Sequence, residues 1–511
     1  MNLPPELDDL KEEIKSHAID CGLDFFDVVF EVLGHDQINQ IAALGGFPTR
    51  YPHWRFGMEY ERLSKSYTYG LSKIYEMVIN NDPCYAYLMQ ANSMGDQKLV
   101  MAHVYAHSDF FKNNCYFAHT SRKAIDEMAN HGSRIRSHAE RYGHENVENF
   151  LDCCLSIENL IDIHSTGIRR QDEAQQVSQL ADEEDETLKV ERIRSKDYMD
   201  RFVNPAEFLA AKKKELEDEK KKKKRLPEEP TRDVLQFLIN YAPLEKWQRE
   251  ILTIVRDEAY YFAPQGMTKI MNEGWATYWH SKMMTERLAT DQEIVDYADH
   301  HSGTIAMGPG QINPYKIGVE LYRNIEERWN KGQHGPEWER CDDYQQRKAW
   351  DTKAGLGREK IFEVHRMHND VTFIDAFFTK EFCEEHKLFA YHFNRKSGQY
   401  EITSREFRDV KRQFLSSLTN AGQPFIYVTD ANYGNRGELY LRHRYEGVEL
   451  KLDHAQDTLR NLQRVWSRPV LLETVLGGKG RLLSFDGAEQ RETEIAVEID
   501  EEFEDEEEES N

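Results

Sequence analysis

The sequence predicts a mainly α-helical protein: a large helical amino-terminal domain with a charged insertion, followed by a small α+β carboxyl-terminal domain. Three observations predict this class. Long stretches before residue 355 place apolar residues at helical intervals, a nearly all-polar segment interrupts them, and short strands mixed with helices follow. The predicted segments are helical residues 1–168, the insertion 169–233, helical residues 234–355, the α+β domain 356–490 and an acidic tail 491–511.

Apolar periodicity predicts the amino-terminal helices. The stretches LDDLKEEIKSHAIDCGLDFFDVVFEVL and MEYERLSKSYTYGLSKIYEMVI each place apolar residues on one helical face. The Gly- and Pro-containing stretch GGFPTRYPHW separates them. Two further helices are predicted in SRKAIDEMANHGSRIRSHAERYG and ENVENFLDCCLSIENLIDIH.

The insertion, residues 169–233, is predicted to be exposed, part helix and part disorder. Its stretch AAKKKELEDEKKKKKRLPEEPTRD is almost entirely polar, and acidic residues flank the lysine run on both sides. This arrangement favours a solvated linker over a patch for an anionic partner. The tail EIAVEIDEEFEDEEEESN contains no basic residue. It is predicted to be disordered because its negative charges repel one another.

Helical periodicity resumes at VLQFLINYAPLEKWQREILTIVRDEAYYF and continues to about residue 355. Within it, AMGPGQINPYKIG is interpreted as a turn-rich surface loop. Beyond this point KLFAYHFNRKSGQYEITS predicts a β-hairpin with a Lys-Ser-Gly turn. The stretches PFIYVTD, VLLETVL and GRLLSFDG predict strands between further helices, which together indicate the α+β domain.

Composition excludes several classes of protein. The 511 residues carry a net charge of −25, which argues against general nucleic-acid binding because phosphate contacts need clustered Lys and Arg. No apolar run approaches the roughly 18 residues of a membrane span. The charged start MNLPPELDDLKEEIK lacks the features of a secretory signal, so a cytoplasmic location is expected. Seven scattered cysteines without a C-x-x-C pair favour neither a disulfide framework nor a cysteine zinc site.

The stretch MAHVYAHSDFF suggests a metal site. It places His103 and His107 four residues apart in a predicted helix, so that both imidazoles project from one face. Val104 occupies the position that holds the general-base glutamate in the zinc-protease signature H-E-x-x-H. The pair is therefore predicted to bind a metal without that base.

A second stretch, MNEGWATYWH, offers a third ligand. Glu273 on this predicted helix resembles the glutamate that a downstream helix supplies in thermolysin-like and aminopeptidase-like zinc enzymes. Two histidines and one glutamate with an open fourth position are typical of catalytic zinc. His280, about two turns further along, is either an additional ligand or a residue that hydrogen-bonds to a ligand. Iron is the alternative metal, should further carboxylates and histidines converge.

A hydrolase at this site would need a base from elsewhere in the chain. The candidates are carboxylates near predicted helices with aromatic neighbours, namely Asp109, Glu258 and Glu31. His53 is interpreted as a packing residue. Further possible ligands are His35, His300 and His301.

Six stretches in order resemble the SpoVR family (stage V sporulation protein R): GFPTRYPHWRFGMEYE, NDPCYAYLMQANS, LVMAHVYAHSDFFKNN, WQREIL, MNEGWATYWH and INPYKIG. The resemblance implies a role in forming the peptidoglycan of the spore cortex. It also implies a link to stress or stationary phase, because relatives are often encoded near a PrkA-type serine kinase and a von Willebrand-type protein. The resemblance implies no particular reaction.

Three hypotheses of function follow. The first is a zinc-dependent hydrolase of amide bonds that uses His103, His107 and Glu273. The second is a non-catalytic regulator or scaffold that works with a PrkA-type kinase. The third is a non-haem iron enzyme. Convergence of the two histidines and Glu273 around one point distinguishes the metal hypotheses from the scaffold.

Overall fold

The computed structural model describes residues 3–68, 76–165, 205, 226–394 and 397–496. Most of the predicted insertion and of the predicted acidic tail lies outside these described residues. Contacts divide the chain into two compact units, Met1–Glu148 with Tyr260–Gln423, and Asn149–Ala259 with Pro424–Asn511. The predicted boundary at residues 355 and 356 falls inside the first unit, because side chains such as Ile361 and Phe373 pack into its helical core.

The predicted fold class is confirmed: the described chain is mainly helical, and a five-stranded sheet lies towards its carboxyl end. No helix within the described residues is long and apolar enough to cross a membrane. In chain order the helices are α1 (Pro5–Asp20), α2 (His35–Ala43), α3 (Trp54–Thr68), α4 (Met94–Asn113), α5 (Ala124–Tyr142), α6 (His144–Leu155), α7 (Val234–Tyr241), α8 (Lys246–Met267), α9 (Lys269–Met283), α10 (Glu293–Thr304), α11 (Pro314–Lys331), α12 (Pro336–Glu339), α13 (Tyr344–Lys348), α14 (Gly357–Met367), α15 (Asp370–Phe377), α16 (Lys380–Glu385), α17 (Phe407–Leu418) and α18 (Leu452–Trp466).

The strands form three sheets within the described residues. The first has the order β1-β3-β2, the second is the hairpin β4-β5, and the third has the order β10-β9-β8-β7-β6. The predicted hairpin is confirmed. The strands are β1 (Val28–Leu33), β2 (Glu76–Ile79), β3 (Cys84–Met89), β4 (Ala390–Asn394), β5 (Gln399–Ser404), β6 (Phe425–Tyr433), β7 (Glu438–Arg444), β8 (Val470–Leu476), β9 (Lys479–Phe485) and β10 (Gln490–Glu494).

The first sheet corrects the sequence prediction, which extended helices through two of its strands. Helix α1 ends at Asp20, and Gly22 follows with a φ of 80°. The next residues, FFDVVFEVL, are aromatic and β-branched in close succession, which favours a strand over a helix. Strand β1 pairs in parallel with β3, and β2 pairs antiparallel on the other side of β3. Periodicity alone could not separate these short apolar runs from helix.

Two helices at the centre of the first unit are buried almost all round. Helix α4 begins at a capping box, in which the Ser93 side chain accepts from the Asp96 backbone, and most of its side chains are buried. Helix α9 is equally buried and packs against both α4 and α11. Burial on all faces fixes the orientation of these helices, and therefore of the polar side chains that they carry.

The second unit contains the five-stranded sheet. Strands β7 and β8 run parallel, and the other neighbouring pairs run antiparallel. Helix α18 packs on β8 and β9 through an apolar face that includes Leu459 and Leu462. The predicted strands PFIYVTD, VLLETVL and GRLLSFDG are confirmed, whereas the exposed strand β10 was not predicted because it contains no apolar residue.

Candidate metal centre

The structure brings the three predicted ligands together. His103 and His107 lie one turn apart on α4, with ring centroids 4.5 Å from each other. Glu273 of α9 faces both, and its Oε2 lies 3.7 Å from Nε2 of His103 and 3.6 Å from Nε2 of His107. Two ligand atoms that each lie about 2.1 Å from a tetrahedral ion are about 3.4 Å apart. The donor set and its spacing therefore fit a divalent metal.

Outer contacts orient both imidazoles. Nδ1 of His107 lies 2.9 Å from Oδ1 of Asn272, an acceptor, so Nδ1 carries the proton and Nε2 presents its lone pair towards Glu273. Nδ1 of His103 lies 2.8 Å from Nδ1 of His280, which directs Nε2 of His103 towards the same point. His280 thus lies behind His103 in this structure, and it is not in the cluster of converging ligand atoms.

Burial favours the neutral histidines that a metal requires. Desolvation, followed by the nearby His103, lowers the pKa of His107 to about 4. Desolvation also holds the pKa of His280 well below its ordinary value. For Glu273 burial acts to raise the pKa, but the bond with His103, the charges of the histidines and the bond with Tyr315 outweigh it and lower the pKa. Near neutral pH, His107 and His280 are therefore neutral and Glu273 is ionised. These are the charge states that metal binding requires of the ligands and of the residue that orients them.

Helix α9 is held in place at its first turn. The buried carboxylate of Asp370 accepts the backbone N–H groups of Ile270 and Met271, at 2.8 and 2.9 Å. Desolvation is the main reason that the pKa of Asp370 is raised to about 7, although these N–H groups act to lower it. Glu273 lies less than one turn beyond this anchor, so Asp370 fixes the depth at which α9 presents its ligand.

Asp109 ties the two ligand helices together. Its carboxylate accepts from the indole Nε1 of Trp275 on α9 and from the backbone N–H of Asp24, both at 2.8 Å. Nε2 of His365 lies 3.3 Å from the same carboxylate, and the His365 ring stacks on Trp275 with centroids 4.3 Å apart. Asp109 is two residues from His107, on nearly the opposite side of α4, and it is not in the ligand cluster.

A cavity of about 470 Å³ borders Glu273. Its wall is the first turn of α9 together with the loop between α10 and α11, which the sequence analysis interpreted only as a surface turn. Tyr315 in this wall hydrogen-bonds to Glu273, and its ring stacks near His103 with centroids 6.3 Å apart. The Glu273 side chain retains 19% exposure, so the ligand cluster is accessible from this side.

Several other predicted residues lie outside the cluster. Val104 is fully buried in the core, as expected for a residue that cannot act as a base. His53 packs against Tyr51 and Phe56, which confirms its interpretation as a packing residue. The other candidates are Glu31, opposite Tyr87 in the β1–β3 pair; Glu258, buried in the part of α8 that belongs to the second unit; His35, beside Asp36 and Asn39; His300, paired with Asp96; and His301, stacked on Tyr297.

Sequence reasoning missed Asn272, Tyr315 and Asp370. Asn272 directly precedes Glu273, so its place beside His107 could have been anticipated once both helices were predicted to meet. Tyr315 and Asp370 lie 42 and 97 residues beyond Glu273 in the printed sequence, and no spacing rule connects them to α9. Only the packing of α11 and α15 on α9 reveals their roles.

The buried His107 predicts how stability depends on pH. Its pKa is about 4 in the folded protein and about 6.5 when exposed, so below pH 6.5 the unfolded chain binds a proton that the folded chain does not. The free energy of unfolding of the metal-free protein should therefore fall as the pH drops from 6.5 to 4, by roughly 3 kcal/mol from this residue. Urea unfolding of the wild type and His107→Gln at pH 7 and pH 4.5 measures it. Equal pH dependence in both proteins would contradict the assignment.

The fold and the cluster define a mainly helical protein with a buried site of two histidines and one glutamate. The chain belongs to the SpoVR family: the family described as "SpoVR like protein" matches residues 2–423, and the one described as "SpoVR-like C-terminal domain" matches residues 424–477. A relative from Escherichia coli (strain K12), described as "Uncharacterized protein YcgB", is 30% identical in an alignment of 479 residues that covers 88% of this chain and 88% of the relative. No solved structure matches.

Proposed function

We propose that this SpoVR-family protein is a metal-dependent hydrolase of amide bonds, with a substrate related to peptidoglycan or its precursors. The observation that carries the proposal is the convergence of His103, His107 and Glu273 beside a cavity. A structural role would need no such convergence, since burying two imidazoles and a carboxylate together costs solvation free energy. The peptidoglycan connection is an expectation from the resemblance to the SpoVR family, to which the chain belongs.

Zinc held by these three residues would polarise a substrate carbonyl and lower the pKa of a bound water towards about 7. Other residues of the chain orient the three ligands. Asn272 holds His107 in the ligating tautomer, His280 orients the ring of His103, and Tyr315 orients the Glu273 carboxylate. The loop before α11 forms one wall of the cavity beside Glu273. Of the predicted proton carriers, Glu258, Asp109 and Glu31, none lies in the ligand cluster, so proton transfer through them stays a prediction.

Iron is the second candidate metal, because two histidines and one carboxylate with open positions are also the ligand set of non-haem iron enzymes. The two proposals differ in what the loaded protein does. The zinc form should release amines from amide substrates in the absence of an oxidant. An iron enzyme of the oxygenase type should instead consume dioxygen.

The test is amine release from peptides and peptidoglycan fragments by the purified full-length protein. Activity should disappear after removal of the metal by a chelator and return with stoichiometric zinc. The Glu273→Gln variant should be inactive. The absence of amine release from every amide substrate by zinc-loaded protein would overturn the hydrolase proposal.

We make three further proposals about cellular context, of which the two partners follow from the resemblance. They are a cytoplasmic location, a PrkA-type serine kinase as a partner, and a von Willebrand-type protein as a second partner. A cytoplasmic hydrolase would act on peptidoglycan precursors rather than on the assembled cortex. Fractionation of cells that express the tagged protein, followed by identification of co-purified proteins, tests all three.

A further inference from the structure

With a divalent metal bound, the cavity beside Glu273 would carry a positive charge, which is unusual for this protein. Its charged lining residues are Lys269 and Glu273, both on the first turns of α9. A divalent ion bound by Glu273 and two neutral histidines would leave one positive charge at the metal, and Lys269 adds a second. The chain as a whole carries a net charge of −25. A positive cavity in an acidic protein concentrates the field on an anionic ligand.

Most other polar groups of the cavity wall are already bonded within the protein. The Asn313 amide donates to the carbonyl oxygens of Thr304 and Ala306, and its own oxygen accepts from the backbone at the start of α11. The Thr304 hydroxyl donates to the His300 carbonyl. Lys269 differs, because no carboxylate among the residues described by the structure lies within ion-pair distance of its Nζ. Its charge is therefore available to a ligand.

The spacing on α9 sets where that ligand's anionic group would lie. Lys269 and Glu273 are four residues apart, so they share one helix face with their Cβ atoms about 5–6 Å from each other. A lysine side chain extends several ångström beyond its Cβ atom, so an anion paired with Lys269 can lie about one residue's length from a carbonyl held at the metal, given that successive Cα atoms of a peptide are about 3.8 Å apart. In a peptide, the group at this distance from the last amide is the terminal carboxylate.

We propose that the cavity binds the carboxyl-terminal residue of a peptide and that Lys269 pairs with its free carboxylate. This inference rests on the proposed amide hydrolase and names its substrate class: peptides with an unblocked carboxyl terminus. In the reaction a water oxygen bonds to the carbonyl carbon and the C–N bond breaks. The water protons pass to the leaving nitrogen, so the products are a shortened peptide carboxylate and a free amino acid as its ammonium form.

The experiment compares N-acetyl dipeptides that end in a free carboxylate with the same dipeptides that end in a carboxamide. Binding is measured calorimetrically on the full-length protein with and without zinc, and hydrolysis is measured on the zinc-loaded protein. The zinc-loaded wild type should prefer the free acid by about fivefold, which is the upper range for an ion pair with an exposed side chain such as that of Lys269. Lys269→Gln should abolish the preference, and Lys269→Arg should retain most of it. Lys282→Gln, on the same helix but outside the cavity lining, is the matched control and should change nothing.

The outcomes separate this inference from the proposed function. Acid-selective binding that Lys269→Gln removes, without hydrolysis of any amide, would support the carboxylate site while the hydrolase proposal fails. Hydrolysis of acid and amide alike, unchanged in Lys269→Gln, would overturn the inference and leave the hydrolase proposal in place. Inorganic phosphate serves as a competing anion. Tighter binding of phosphate than of every peptide acid, with dependence on Lys269, would also overturn the inference in favour of a phosphate-bearing ligand.

Discussion

Replacing Glu273 by glutamine should lower the affinity of the protein for zinc by roughly 100-fold or more. Mutation of a residue that only hydrogen-bonds to a metal ligand typically costs 10–100-fold in affinity, and loss of a ligand should cost at least as much. Glu273 is the anionic member of the ligand cluster, and its Oε2 faces Nε2 of both histidines. Glutamine keeps the size of the side chain but removes the charge, so the packing of α9 should survive. Competition with a chromophoric chelator measures the affinity.

Two further variants sharpen this prediction. His103→Ala should produce a loss of similar size, because it removes a ligand from the same cluster. His35→Ala is the control, since His35 contacts Asp36 and Asn39 at the start of α2 and lies outside the cluster. A zinc affinity that is unchanged in Glu273→Gln, or equally reduced in His35→Ala, would show that the three residues do not form the site.

Gly318→Ala should lower the free energy of unfolding by about 2 kcal/mol or more, within the usual cost of overpacking a core. Helices α9 and α11 approach so closely that a Cβ at Gly318 would lie 2.2 Å from the carbonyl oxygen of Ile270 and 2.6 Å from Cα of Gly274. Both obstacles are backbone atoms, so no side chain can rotate away and the helices must separate. Urea unfolding measures the loss of stability.

The matched control is Gly57→Ala. A Cβ at Gly57, inside α3, would meet nothing within 4 Å, so alanine there should be neutral or should stabilise the helix by up to about 1 kcal/mol. Because Tyr315 precedes Gly318 on α11 by less than one turn, Gly318→Ala should also weaken zinc binding by displacing Tyr315 from Glu273. Equal stability of the two glycine variants would contradict the close helix contact.

The clustering of His103, His107 and Glu273 was easier to predict from the sequence than the surroundings of the cluster. His103 and His107 carry their own spacing signal, and Glu273 was found because a glutamate on a downstream helix is a recurrent third ligand. Fold class, most helices and the hairpin β4–β5 followed from periodicity and turn residues. Strand β1 was predicted as helix, because closely spaced apolar residues fit both the helical period and the strand period over a short stretch.

The unpredicted part of the site depends on long-range packing. Asp370 lies 97 residues beyond Glu273 in the printed sequence, yet its carboxylate caps the helix that carries Glu273. Asp109 was predicted as a proton carrier from the aromatic residues near it in the sequence, whereas the structure shows its carboxylate accepting a hydrogen bond from Trp275 on the distant helix α9. A carboxylate in a helix looks the same in sequence whether it supports a helix or faces a substrate. Only the positions of the partner helices distinguish the two.

In the proposed metal centre, His103, His107 and Glu273 hold one metal ion. The most direct measurement is anomalous diffraction at the zinc and iron absorption edges from crystals of the purified full-length protein. We expect a single strong anomalous peak about 2.0–2.2 Å from Nε2 of each histidine and from a Glu273 carboxylate oxygen. Crystals grown with excess zinc that show no anomalous peak within bonding distance of these three atoms would contradict it.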